Sequence, residues 1–271
     1  MGAERKIWIE LKELDEGSWG YDARILDKAS TVQDYLDALN QFQEERVAAC
    51  GGCVNCCWER VPLTAADAAV YLEGLGGSAE RDGRSAAGRV TAFLRRYGRV
   101  RARRGVVDIT LRREANGACC FLDQENHRCG RWPLRSLVCQ TYVCLPASRR
   151  AAALRQQIVN EGENALIRLY AREAAALGQA PAVEGAARDV DWSAYRGRGF
   201  DAGDDEYPGG QAGAGSTAAA AASPAAPGDT PALAGGAELV SASAAGLAIL
   251  PYRQVRIQDV VTADLWRLLT E

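Results

Sequence analysis

The 271-residue sequence contains a single histidine, a single methionine and four phenylalanines. With His127 alone, lying in a cysteine-rich stretch, we do not expect a Ser-His-Asp hydrolase. A site with several soft metal ligands must therefore rely on thiolates. No stretch approaches the roughly 20 apolar residues of a membrane span, and charges interrupt the N-terminal region where a secretory signal needs an apolar run. These absences predict a soluble, cytoplasmic protein with no membrane partner.

The charge balance is almost even, whereas cysteine is plentiful. A net charge of −3 provides no global field that favours nucleic acid. The chain carries nine cysteines. In a reducing compartment, so many cysteines indicate metal binding or redox chemistry rather than structural disulfides.

Hydrophobic periodicity predicts short elements of both kinds. Alternation indicates strands over 6–12 and 106–111. One-sided apolar residues predict helices over 31–46, 64–77, 85–97 and 148–177. Thr31 and Thr64 each precede an acid by three positions, which is typical of a capping box.

The chain divides into three predicted parts. Residues 1–178 form a cysteine-cluster metal-binding domain, 179–246 a low-complexity flexible linker, and 247–271 a C-terminal segment of one strand and one helix. We expect the strand to include Val255 and Ile257, and the tail to return to the main domain beside strand 6–12. The predicted fold class is α+β and mainly helical, a small irregular domain that a cysteine-ligated metal centre staples together.

The first cysteine group reads Cys50-Gly-Gly-Cys53-Val-Asn-Cys56-Cys57. Two residues between cysteines form a tight turn that directs both sulfurs at one ion, as in zinc knuckles and iron–sulfur proteins. Adjacent residues rarely bind one tetrahedral ion, so the pair Cys56–Cys57 suggests a second metal or a neighbouring vertex of a cluster.

The second group is more widely spaced, so its ligands come from different loops. Metal binding would join the two groups and couple the metal to folding. Cys119 is interpreted as a buried residue or as a reserve thiol, and His127 as a loop residue. The predicted ligands are Cys50, Cys53, Cys56, Cys57, Cys120, Cys129, Cys139 and Cys144. Aromatic residues near them are predicted to form an apolar shell: Trp58, Phe121, Trp132 and Tyr142.

Three arginines lie close in sequence to the second group, and these are Arg128, Arg131 and Arg135. A zinc ion bound by four thiolates carries about −2 charge, so these cations are placed to offset it. Arginines near a ligand sulfur can also tune the potential of a cluster through hydrogen bonds.

At these residues the sequence resembles the CxxCxxCC cysteine-cluster family, also called YkgJ-type. The resemblance covers residues 50–144 and rests on CGGCVNCC, on PLTAADAAVYLEGLG, on the Cys120-Phe-Leu segment and on the segment from Cys129 to Cys139. The sequence differs from the family pattern in its first two-residue gap, at Arg131-Trp132 and at Ser136. The resemblance implies a bound zinc ion or iron–sulfur cluster and implies no agreed reaction.

The leading functional prediction is a metal-binding protein that holds zinc or an iron–sulfur cluster in a structural or redox role. Bacterial flagellin lysine methylases carry a similar cluster, so an S-adenosylmethionine-dependent methylase is an alternative, although no Gly-rich cofactor fingerprint is present. A zinc-ribbon-like nucleic-acid binder is another alternative. It depends on a run of basic residues: Arg95, Arg96, Arg99, Arg101, Arg103 and Arg104. Whether the chain is an enzyme stays open, and so does a protein partner.

Overall fold

The computed structural model describes residues 5–14, 17–47, 54–74, 86–103, 106–176 and 250–271. All of them belong to one compact unit, which spans 1–200 and 247–271. A second unit, 201–246, lies outside the described residues, as does the predicted linker. About half of the described residues are helical, and three small sheets accompany the helices, in agreement with an α+β fold. Within the described ranges, no helix has the length and apolar character needed to cross a membrane.

The chain begins with an antiparallel hairpin of strands β1 (Ile7–Glu13) and β2 (Trp19–Ile25). Ile7 lies opposite Ile25, and Gly17 makes the connection with a φ of +74° that suits glycine. Strand β1 matches the predicted strand, whereas β2 was not predicted. Four consecutive residues of β2 are buried, including Asp22, so the alternation that reveals a half-buried strand is missing.

Helix α1 (Val32–Arg46) begins at the predicted capping box. The Asp34 amide donates to the Thr31 hydroxyl, and the Thr31 amide donates to the Asp34 carboxylate at 2.8 Å. The buried face of α1 carries Val32, Tyr35, Leu36, Leu39 and Phe42.

Helix α2 (Ala65–Gly74) begins at a second capping box, and helix α3 (Ala86–Tyr97) follows it. The carboxylate of Asp67 accepts hydrogen bonds from both the amide and the hydroxyl of Thr64. The predicted end of α2 at the glycine pair 76–77 and the predicted start of α3 at residue 85 lie outside the described residues.

The arginine-rich run is divided between two elements. Arg95 and Arg96 lie in the last turn of α3, and the rest of the described run forms strand β3 (Gly98–Arg103). Strand β3 pairs antiparallel with β4 (Val106–Leu111), which is the predicted second strand. The run is therefore the end of a helix followed by a strand whose Val100 is buried in the core.

Helix α5 (Arg149–Ala176) is 28 residues long and agrees with the predicted long helix. Gly162, a weak helix former at its middle, is explained by packing against the start of α2. A Cβ atom at this position would lie 2.6 Å from Cβ of Thr64. The glycine thus allows α5 to approach α2 closely.

The C-terminal segment differs from the prediction. Two 3-10 turns, Tyr252–Gln254 and Ile257–Asp259, replace the expected strand, and helix α6 (Ala263–Thr270) follows. The segment joins the start of α1 rather than β1, because the Val32 amide donates to the Val255 carbonyl at 2.8 Å. The Ile257 amide donates to the Ser30 carbonyl at 3.0 Å. These bonds make only an isolated bridge, so no strand develops.

Two hydrophobic clusters fill the unit, and α5 contributes to both. The first core joins α1, the β1–β2 hairpin, the C-terminal segment and the beginning of α5, where Leu154 and Ile158 lie. The second core joins α2, α3, β3 and β4 with the later part of α5, where Leu166 and Tyr170 lie. Cys119 belongs to the second core, and Cys57 and Cys139 pack against it.

Candidate metal centre

Cys56 and Cys57 lie on a single 3-10 turn, Asn55–Trp58. The Cys57 amide donates to the Val54 carbonyl at 2.9 Å, and the Glu59 amide donates to the Cys56 carbonyl at 3.3 Å. Cys50 and Cys53 lie outside the described residues. The turn therefore fixes the backbone of the last two cysteines of the first group.

Cys129 of the second group lies on a small hairpin of strands β5 (Leu122–Asp123) and β6 (Arg128–Cys129), and Cys119 and Cys120 precede this hairpin. Leu122 lies opposite Cys129, and His127 occupies the exposed turn with a φ of +47°. The two cysteine groups meet directly, because the Cys119 amide donates to the Cys57 carbonyl at 2.8 Å. The backbone thus brings together segments that are about 60 residues apart in sequence.

Cys139 lies on the short helix α4 (Leu137–Gln140). Ser136 caps this helix, and its hydroxyl accepts from the Cys139 amide at 3.4 Å. The Leu137 amide donates to the buried Asp67 carboxylate at 2.7 Å. The same carboxylate oxygen accepts a hydrogen bond from the Tyr252 hydroxyl. Helix α4 is therefore held by α2 and by the C-terminal segment at once.

Cysteines from these segments line one cavity of about 370 Å³. They are Cys56, Cys57, Cys119, Cys129, Cys139 and Cys144. The seven cysteines that the structure describes are thiols rather than disulfides. Six cysteine residues from four stretches of chain line one cavity, and cysteine is the residue type that a thiophilic metal prefers.

Five of the eight predicted ligands line this cavity, and two lie outside the described residues. The eighth predicted ligand is Cys120, and its neighbour Cys119 was not among the predicted ligands. Cys119, interpreted from sequence as a spare, is 7 % exposed and lines the cavity, whereas Cys120 is not among the lining residues. The Cys120 amide donates to the Arg112 carbonyl at 3.0 Å.

Aromatic side chains surround the cavity, but only part of the shell was predicted. Phe121 is half-buried and contacts Tyr71 and Tyr97, with ring centroids 5.5 and 5.1 Å apart. Trp132 and Tyr142 line the cavity while keeping exposed surfaces. Tyr71 and Tyr97 come from α2 and α3, far from the cysteines in sequence, so proximity in the chain could not reveal them.

The arginines near the second group differ in their placement. The Arg135 guanidinium lies 3.8 Å over the Trp132 ring and lines the cavity. Arg131 lies 5.4 Å over the Phe121 ring, and its backbone amide donates to the Cys129 sulfur at 3.4 Å. Arg128 also lines the cavity and lies near Asp123 at 3.8 Å.

The thiols influence one another's ionisation. A hydrogen bond from Cys57 lowers the pKa of Cys56 to about 6 against the effect of burial, and the charge of Arg135 adds to this lowering. Burial raises the pKa of Cys139 to about 12. At neutral pH, Cys56 is thus the thiolate of the pair, and binding of a cation to the other thiols must release protons.

The side chains of the described residues do not form a complete metal site. Among the described residues, no three His, Cys, Asp or Glu side chains form a group that could hold an ion. The six cysteines therefore share one cavity without forming a ready-made ion site among the described residues.

The fold and the cavity together describe a cysteine-rich α+β domain. Residues 49–161, less than half of the chain, match the family model CxxCxxCC, described as a "putative zinc- or iron-chelating domain". The resemblance seen in the sequence is thereby confirmed. No curated protein and no solved structure matches the chain.

Proposed function

We propose that this protein binds zinc or an iron–sulfur cluster through its cysteines, in a structural or redox role. The observation that carries the proposal is the gathering of six cysteines around one cavity. All-thiolate ligation suits both a structural zinc site and an iron–sulfur cluster. The match of residues 49–161 to a zinc- or iron-chelating family supports the same conclusion.

The proposed ligands are the cavity cysteines together with Cys50 and Cys53, which complete the C-x2-C-x2-C spacing. Their bound ion would supply charge to hold several thiolates together and, in an iron–sulfur cluster, a one-electron couple. The arginines beside the cavity would offset the excess negative charge.

Anaerobic purification followed by elemental analysis and absorption spectroscopy tests the proposal. A brown protein that dithionite bleaches contains an iron–sulfur cluster, whereas a colourless protein with bound zinc contains thiolate zinc sites. A folded protein that stays free of metal after both zinc and iron–sulfur reconstitution contradicts the proposal.

A matched pair of variants tests the choice between the two adjacent cysteines. We expect Cys119→Ser to lose more metal than Cys120→Ser, because the Cys119 thiol lines the cavity and the Cys120 thiol does not. Metal content per folded chain is the measurement. A greater loss in Cys120→Ser would restore the choice made from the sequence.

A further inference from the structure

Arg135 has a buried hydrogen-bond donor with no acceptor. Its Nε atom is inaccessible to solvent and makes no hydrogen bond, although the side chain lines the cysteine cavity. A buried donor without an acceptor destabilises the folded state, and a charged donor does so most, so nearly all such atoms in folded proteins have partners. A hydrogen-bond acceptor in the cavity would satisfy this Nε–H group.

Contacts with Asn40 and Trp132 hold the rest of the Arg135 side chain. Its Nη2 donates to Oδ1 of Asn40 at 3.3 Å, and its guanidinium stacks on Trp132. Gln140 closes a ring of hydrogen bonds, because its side chain donates to the Arg135 carbonyl at 2.7 Å and accepts from Asn40 at 3.2 Å. The direction of Nε is thus fixed by the protein before any metal binds.

The positive charge of Arg135 acts on two of the cavity cysteines. Within the described part of the chain, no carboxylate forms an ion pair with Arg135, whereas its charge acts on the sulfurs of Cys56 and Cys129. One N–H group of the guanidinium is directed to the Asn40 amide, and the Nε–H group is left for a second acceptor. Only the planar guanidinium can present two donors in this way, because lysine lacks such a fork.

We propose that Arg135 is a positioning residue of the metal centre, whose Nε–H donates to a thiolate sulfur of Cys56 or Cys129. This inference rests on the proposed function. The hydrogen bond would reduce the charge that the thiolates place on the metal, and it would orient the sulfur toward the cavity. Partners of this kind, one shell beyond the metal, typically change affinity by about 10–100-fold when they are removed.

Arg131 provides a matched control four residues away. It carries the same charge and also stacks on an aromatic ring, but it is not among the residues that line the cavity. Its contact with Cys129 comes from the backbone amide, which a side-chain substitution keeps. Arg131→Met and Arg135→Met therefore remove the same charge, and only the second removes the donor in the cavity.

The experiment measures how tightly the full-length chain holds Co²⁺ and Zn²⁺. Co²⁺ binding is followed by the thiolate-to-cobalt absorption band, and Zn²⁺ affinity by competition with a chelator. We expect Arg135→Met to bind zinc about 10–100-fold more weakly than the native chain, with a shifted cobalt band. Arg131→Met should stay within about threefold of the native affinity and keep the native band, since its backbone hydrogen bond persists.

Arg135→Lys separates charge from direction. We expect it to fold and to bind zinc more weakly than the native chain, because lysine keeps the charge but has no second N–H group in the fork. If the protein contains an iron–sulfur cluster, the reduction potential replaces affinity, and Arg135→Met should lower it while Arg131→Met leaves it unchanged.

Several results overturn the inference. If Arg135→Met and Arg131→Met weaken zinc binding equally, the effect comes from the lost charge and not from a hydrogen bond of Arg135. If Arg135→Met keeps the native zinc affinity and the native cobalt band, Arg135 does not position the metal centre. If Arg135→Met fails to fold, as judged by circular dichroism, a native affinity in Arg135→Lys decides against the proposal. Failure of the native chain itself to bind any metal would instead refute the proposed function, so the two failures are distinguishable.

Discussion

The two hydrophobic cores differ in what closes them. The first core is enclosed by α1, the β1–β2 hairpin, α5 and the C-terminal segment, all contributed by the chain itself. The second core includes Cys119 and packs against Cys57 and Cys139, so one of its walls is the cysteine cavity. The comparison indicates that no cysteine among the described residues belongs to the first core, whereas the proposed metal would add to the side-chain packing of the second core.

The largest expected effect that tests this difference is metal removal. Structural zinc sites contribute about 10–16 kcal/mol of apparent binding free energy at neutral pH, and this energy is coupled to folding. Stripping the loaded protein with a chelator should accelerate amide hydrogen exchange in α2 and β4 far more than in α1 and α6. Hydrogen-exchange mass spectrometry measures both regions in one sample. Equal acceleration in the two regions would show that the cores form one cooperative unit.

Cavity-forming substitutions in each core sharpen the comparison. Leu166 in the second core and Leu269 in the first are both fully buried. Replacing either by alanine should lower the free energy of unfolding by about 2–5 kcal/mol, measured by urea denaturation. We expect only Leu166→Ala to weaken zinc binding as well, because its core packs on the thiols. A similar loss of affinity in Leu269→Ala would contradict the separation.

Two carboxylates, one buried and one half-buried, provide the smallest and most specific test, because their pKa values shift in opposite directions. Asp22, against the first core, has its pKa held well below its usual range by hydrogen bonds from Arg150, Ser148 and Lys12, which outweigh burial. Glu163, in the part of α5 that serves the second core, has its pKa raised to about 7 by burial, with the charge of Asp108 adding to it.

The sign of each pH dependence follows from these shifts. A raised pKa in the folded state favours the protonated form, so the contribution of Glu163 is present below about pH 4.5 and is lost as pH rises through about 7. The contribution of Asp22 is present above about pH 4 and is lost as pH falls below it. At pH 8 we expect Glu163→Gln to stabilise and Asp22→Asn to destabilise the protein, each by about 1–3 kcal/mol.

Denaturation of the native chain and both variants at pH 6 and pH 8 checks this prediction. The difference between chains is the relevant quantity, because titration of the cysteines is common to all three. The advantage of Glu163→Gln should shrink at pH 6, while the deficit of Asp22→Asn should stay constant. A pH-independent difference for Glu163→Gln would place its pKa near the value of an exposed carboxyl group.

Much of the helical framework could be predicted from local signals. The capping boxes at Thr31 and Thr64 located the starts of α1 and α2, and one-sided apolar residues located α3 and α5. These features depend on hydrogen bonds and spacing within one segment, which a sequence displays directly. Strand β2 escaped prediction because Arg150 and Ser148, distant in sequence, allow Asp22 to be buried there.

The site was predictable in its residue type and only partly in its geometry. Cysteine spacing identified the chemistry, and the family match agrees with it. The choice between Cys119 and Cys120 depends on which side chain faces the cavity, and that depends on the pairing of the Cys119 amide with Cys57. The isolated donor of Arg135 depends on Asn40 and Trp132 together, so no local pattern could reveal it.

The hydrogen bond from the Tyr252 hydroxyl to the Asp67 carboxylate has a consequence for how the C-terminal segment is attached. It anchors the C-terminal segment inside the fold, although residues 177–249 separate this segment from α5. The segment also packs into the first core through Tyr252, Ile257 and Leu269. The segment 250–271 therefore packs on the rest of the fold as a separate small subunit would, although it belongs to the same chain. A protein cut once between α5 and Tyr252 should behave as a split protein, whose two fragments hold together by complementation.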